Sequence, residues 1–68
     1  MEWVIKTVAE PTLFVKEVIP NEGEYLPILT NDVEIAMTFT SMENANNLIT
    51  MLNEPSNFIG HRPPRRPK

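Results

Sequence analysis

Few side chains in this sequence have the chemistry of a catalyst. The chain holds one histidine, His61, and it has no cysteine. A nucleophile needs a base beside it, and this imidazole lies next to a proline-rich segment. The two serines are better suited to structural roles, because Ser41 precedes a helical pattern and Ser56 follows a loop proline. We therefore expect no enzymatic activity and no catalytic residue.

The acidic pairs do not indicate a metal or cofactor site. Asp32 and Glu34 stand at a predicted helix start, where acids are favoured by the helix dipole, and Glu22 and Glu24 flank a glycine. Neither pair has the spacing of a calcium loop, and the isolated glycines do not form a phosphate-binding loop. Without thiolates, one imidazole cannot make a zinc site. We expect no metal, no cofactor and no small-molecule substrate.

Charge divides the chain into two parts. Residues 1–60 hold all nine acids but only two lysines, Lys6 and Lys16, for a formal charge of −7, whereas residues 61–68 carry four cations and no acid, for +4. A chain of 68 residues has room for one domain. We interpret residues 1–60 as a single small domain and residues 61–68 as a basic, proline-rich tail.

The tail has three interpretations. Its cations could neutralise a few phosphates of a nucleic acid, or its PxxP spacing could dock in an aromatic groove. It could also solubilise the protein or fold back on the acidic domain. The side chains that would carry these contacts are Arg62, Pro64, Arg65, Arg66, Pro67 and Lys68.

Three segments have the composition of β-strands. Residues 3–8, 13–19 and 25–30 are rich in β-branched, aromatic and other apolar residues. The first two would form a hairpin. Between the last two, Gly23 is suited to a positive φ angle in a turn. Pro27 cannot donate a ladder hydrogen bond, so its strand belongs at a sheet edge or a bulge.

Helical patterns follow the third strand. Asn31 with Glu34 resembles a capping box for a short helical turn. Ser41 is suited to cap a longer amphipathic helix from Met42 to Asn53, which Pro55 ends. The predicted fold is α+β: a three-stranded, mainly antiparallel sheet with one amphipathic helix packed on it, a short helical turn and an extended C-terminal tail.

One apolar side chain or more from each element is expected in the core. The predicted core residues are Trp3, Ile5, Leu13, Val15, Leu29, Phe39, Ala45, Leu48, Ile49 and Leu52. The aromatic residues could instead form an exposed platform for nucleic-acid bases. We favour the core for Trp3, Phe14, Tyr25 and Phe39, because they occur one per element, as a small core requires.

A small core usually needs support from a partner surface when disulfides and metals are absent. We expect a protein partner or a homodimer. Candidate contacts on the folded domain are an edge strand with Tyr25 and Pro27, and an amide-rich helix face with Asn44 and Asn47. The N-terminus lacks a signal-peptide pattern, and no apolar run is long enough to span a membrane. We expect a soluble, cytoplasmic protein.

The stretch from Ile28 to Ala45, ILTNDVEIAMTFTSMENA, resembles a pattern in small uncharacterised proteins encoded by phages and prophages of Gram-positive bacteria. In these, a strand ending in Thr leads to an acidic helical turn, then to Phe, Ser and an amphipathic helix. The resemblance covers residues 28–52 and carries no site residues. It implies a phage accessory protein of the bacterial cytoplasm that binds a host or defence protein.

The sequence thus favours a non-enzymatic protein-binding module that inhibits or adapts its partner. Two alternatives remain open. The basic tail could bind nucleic acid, or the acidic domain could imitate DNA and inhibit a DNA-binding enzyme.

Overall fold

Four antiparallel strands and one α-helix build the part of the chain, residues 2–63, that the computed structural model describes. The predicted α+β class is confirmed, but the sheet has four strands and not three, in the order β3-β2-β1-β4. Two 3₁₀ turns, Val33–Ile35 and Pro55–Asn57, flank the helix. The strands and helix are β1 (Val4–Thr7), β2 (Phe14–Asn21), β3 (Glu24–Thr30), α1 (Met42–Met51) and β4 (Phe58–His61).

Strand β4 is the element that the sequence analysis missed. It pairs antiparallel with β1, with Val4 opposite His61 and Thr7 opposite Phe58. Four residues that include a glycine are too short to show a strand pattern, and the pairing partner lies more than fifty residues upstream. His61, which the sequence analysis assigns to the tail, is therefore the last residue of a strand.

A two-residue turn joins β2 to β3. Glu22 and Gly23 have φ angles of 52° and 84°, and Asn21 and Glu24 close the turn as directly opposed residues. Positive φ at both central positions is typical of the type I′ hairpin, whose twist matches that of the strands. The positive φ predicted for Gly23 is confirmed, and Pro27 lies, as expected, in an edge strand.

The segment before the helix fills a gap between β1 and β2. These two strands are paired at Lys6 and Phe14 and then diverge. Beyond that point the Met37 N–H donates to the Val15 carbonyl at 3.0 Å, and Phe39 exchanges two backbone hydrogen bonds with Trp3, at 2.8 and 2.9 Å. Backbone groups that the divergence would leave unpaired therefore gain partners.

The helix begins where the sequence predicts and ends sooner. The Ser41 side chain accepts a hydrogen bond from the Asn44 N–H at 3.1 Å, which confirms the N-cap. Leu52 is already extended, so α1 stops at Met51 and not at Asn53. In the first 3₁₀ turn, Asp32 is the cap and accepts from the Glu34 N–H; the expected role of Asn31 was wrong.

The core forms where α1 packs on β1 and β4. Ile5, Val15, Ala45 and Ile49 form its buried centre, as predicted, and Leu52 is also buried. Around this centre lie partly buried side chains, of which Trp3, Phe39 and Leu48 were predicted.

Two predicted core residues are wrong, and two buried residues, Val4 and Ala36, were missed. Leu29 and Tyr25 are each 37% exposed, because both belong to edge strand β3, far along the sheet from the strands on which α1 packs. Val4 is 1% exposed although it lies on the face of the sheet opposite to Ile5. The short strand β1 is thus covered on both of its faces.

The turn generates a prediction about stability. Glu22→Asn should raise the free energy of unfolding by about 0.5–1 kcal/mol, because asparagine tolerates the left-handed conformation better than glutamate does. Urea denaturation measures the change. Glu22→Gln removes the same charge without this backbone preference and is the control; an equal gain in both variants would show that charge, and not φ, is responsible.

Candidate interaction surfaces

The β2–β3 hairpin extends beyond the rest of the sheet. A bulge lies between Val15 and Glu17, and α1 packs mainly on β4 and β1. We call residues 17–28, the part of the hairpin past the bulge, the ribbon. Because a two-stranded ribbon has too little of its own surface to form a core, its apolar side chains remain in contact with solvent.

One face of the ribbon carries an exposed apolar pair. Val18 packs against the core cluster, so its neighbour Ile19 points to the opposite side of the sheet, which we call the outer face. Ile19 is directly opposite Leu26, and the two are 42% and 37% exposed. Glu17 and Glu24 point to the same face. Glu17 lies on the bulge side of the apolar pair and Glu24 on its turn side.

Both edges of the ribbon carry a proline at a position that would otherwise donate a hydrogen bond outward. Because Asn21 and Glu24 close the turn, alternation makes Pro20 and Pro27 members of non-hydrogen-bonded pairs, whose N–H groups would point away from the hairpin. Proline has no N–H, so neither ring disturbs the ladder. The missing N–H also hinders the addition of another strand. The ribbon therefore offers its faces, more than its edges, to a partner.

The amide-rich helix face is exposed, and part of it has a structural role. Asn44 and Asn47 are both solvent-exposed. The Asn44 side-chain amide donates to the Thr40 hydroxyl at 3.2 Å, so it extends the capping of α1. These amides lie on the helix, whereas Tyr25 and Pro27 lie on the ribbon, and the predicted contacts thus belong to two separate elements.

The first cation of the predicted tail contacts the folded domain. The guanidinium carbon of Arg62 lies 5.6 Å from the centre of the Trp3 ring, a cation–π distance. The other predicted tail contacts, Pro64, Arg65, Arg66, Pro67 and Lys68, lie outside the described residues.

A second cluster lies on the outer face over β1. The rings of Phe14 and His61 approach to 6.5 Å between centroids, although their backbones lie on either side of β1. The two rings therefore meet above this strand, which accounts for the burial of Val4. Burial lowers the pKa of His61, and the nearby Lys6 ammonium lowers it further. The neutral imidazole is the form that this site favours.

The part of the chain that the structure describes has neither a metal-ligand cluster nor a membrane-spanning helix. Residues 2–63 contain no group of three or more histidine or acidic side chains placed to hold a metal ion. Within the same range, no helix is long and apolar enough to cross a membrane. Comparison with family models, curated proteins and solved structures yields no match to this chain.

Ile19 and Leu26 are not among the contact residues predicted from the sequence. A signal for them exists in the sequence, because a two-residue turn at Glu22 and Gly23 pairs residues at equal distances on either side. This rule places Ile19 opposite Leu26 once the turn type is known. The exposure of the pair is a different matter, since both side chains point to the face opposite to α1 and their burial depends on whether another element covers that face.

The environment of His61 predicts a pH effect on stability. Because the folded protein favours the neutral ring, the unfolded chain binds the proton more readily. This stabilisation is complete above the ordinary pKa of 6.5 and declines as the pH falls below it. Thermal unfolding at pH 7.5 and 5.5 should show a smaller difference for His61→Asn than for the unmodified protein. Equal differences would contradict the assignment.

Proposed function

We propose that this chain is a non-enzymatic protein-binding module that docks its partner on the outer face of the ribbon. The observation that carries the proposal is the exposed pair Ile19 and Leu26 on the face of the ribbon opposite to α1. Exposed apolar patches on a projecting element are typical of protein–protein contact sites.

The apolar pair can supply part of the binding energy. Each side chain keeps about two fifths of its surface in water, so complete burial would contribute about 1 kcal/mol per side chain. Ile28 is half-buried on the same face and extends the patch toward the bulge. The hairpin geometry holds these side chains in register before binding, which lowers the entropic cost of association.

The charges near the patch suggest the complementary surface. Glu17 and Glu24 flank the apolar pair on the outer face, and Glu22 stands in the turn. A partner with an apolar centre and a basic rim would match this arrangement, and the attraction would steer the encounter between the two proteins.

The resemblance of residues 28–52 to phage and prophage proteins extends the proposal to a biological setting. In that setting the partner is a host or defence protein of the bacterial cell, and binding inhibits or adapts it. This step rests on the resemblance, whereas the binding surface rests on the geometry of the ribbon.

The double variant Ile19→Ser/Leu26→Ser tests the proposed surface. Tagged protein expressed in the cells that encode it should enrich a partner. The double variant should retain less than about a tenth of that amount of partner, because both apolar contacts are lost. Quantitative mass spectrometry of the purified complexes measures the retention. Nuclease treatment of the lysate distinguishes a protein contact from one bridged by nucleic acid.

The matched control is Val8→Ser/Met51→Ser, which also removes two exposed apolar side chains, but from outside the ribbon. It should retain the partner. The proposal fails if both double variants lose the partner equally, or if the ribbon variant retains it while circular dichroism shows that both variants are folded.

A further inference from the structure

Strand β4 forms the second edge of the sheet, and no proline interrupts the chain from Phe58 to Arg62. The Val8 N–H donates to the Asn57 carbonyl at 2.9 Å, so alternation directs the backbone groups of Ile59 toward β1 as well. The N–H and carbonyl groups of Gly60 and Arg62 and the carbonyl of Phe58 therefore point away from the sheet, whereas the Phe58 N–H donates to the Pro55 carbonyl. No described strand pairs with this side of β4.

This edge differs from those of the ribbon. Each edge of the ribbon has a proline at an outward-pointing position, whereas Gly60 and Arg62 each have an N–H to donate outward. Charged side chains and prolines are the usual devices that protect an edge strand from pairing. From Phe58 to Gly60 the strand contains neither.

We propose that β4 pairs antiparallel with β4 of a second copy of this chain, in a register centred on Gly60. In that register Gly60 faces Gly60 of the second copy, and Phe58 faces Arg62 of the second copy. The two Gly60 residues would exchange two backbone hydrogen bonds, and each Arg62 N–H would donate to the Phe58 carbonyl of the other copy. These four hydrogen bonds about a twofold axis would join two four-stranded sheets into one.

The distribution of charge favours a second copy of this chain as the partner of β4. Two copies of a chain with net charge −3 repel each other, so they approach best where acids are absent. All nine acids lie outside residues 55–63, and that segment includes the cation Arg62. Pairing at β4 therefore avoids the like-charge contacts that would arise at the ribbon, where Glu17, Glu22 and Glu24 lie.

Apolar burial adds to the backbone pairing. Ile59 is 47% exposed on the outer face. In the proposed register it faces His61 of the second copy and lies diagonally across from Ile59 of the second copy, close enough for cross-strand contact. The exposed part of both isoleucines would become buried at the twofold axis.

Gly60 is not required by the packing of its own chain. A Cβ atom added there would lie 3.8–3.9 Å from Trp3, Ala45 and Asn46, which is ordinary van der Waals contact. Glycine weakens a strand interior and often marks the close approach of another backbone. Gly60 lies at the centre of the proposed interface, where the two backbones would approach closely.

Hydrogen exchange of the unmodified full-length chain tests the proposal. Sedimentation equilibrium should show a monomer–dimer equilibrium. Amide exchange measured by NMR across a range of concentrations should show protection of Gly60 and Arg62 that rises with the dimer fraction, and no such rise at Tyr25 and Leu29 on the β3 edge. A chain that stays monomeric at about 1 mM, where even a weak complex would form, overturns the proposal. So does protection that rises at β3 instead.

A matched pair of variants isolates the central hydrogen bonds. Gly60→Pro removes an N–H that points away from β1, and it should weaken dimerisation at least about tenfold because two hydrogen bonds are lost. Gly60→Ala keeps the N–H and should dimerise like the unmodified chain. Equal dimerisation of the two variants contradicts the proposal. If Gly60→Pro does not fold, the exchange experiment still decides.

The proposals for the ribbon and for β4 can be refuted separately. The ribbon variant Ile19→Ser/Leu26→Ser should dimerise normally, because its substitutions lie outside β4. Loss of dimerisation in this variant would place the contact between copies on the ribbon and would overturn the β4 register.

Discussion

The structure depends on the backbone pairing of β1, a strand of four residues. On one side it is bonded to β4 along its whole length, and on the other it is bonded first to β2 and then to Phe39 through Trp3. Its side chains are buried on both faces, with Ile5 under α1 and Val4 beneath the rings of Phe14 and His61. Every other element is positioned relative to this strand.

The shortness of β1 has consequences at both ends of the sheet. A central strand of four residues cannot pair with all of β2, so the hairpin projects as a ribbon whose outer-face apolar side chains stay exposed. The helix packs mainly on β1 and β4 instead. The chain thus has a well-packed half and a projecting half, and the two proposed contacts use different halves.

Proline and glycine distinguish the edges. Pro20 and Pro27 occupy ribbon positions where an N–H would point outward, so they protect these edges without loss of ladder hydrogen bonds. Strand β4 has Gly60 at its centre and no such protection. The same sheet therefore combines side-chain contacts on the ribbon faces with backbone contacts at one edge.

The sequence by itself determined the local features: the α+β class, the Ser41 cap, the positive φ of Gly23 and the edge position of the strand with Pro27. Each depends on interactions within a few residues, which residue type controls directly. The tertiary structure alone decided the fourth strand, the burial of Val4 and the exposure of Leu29 and Tyr25. These depend on which distant segments pair and on how far α1 reaches across the sheet. Such long-range contacts cannot be recognised from the sequence pattern of a four-residue segment such as Phe58–His61.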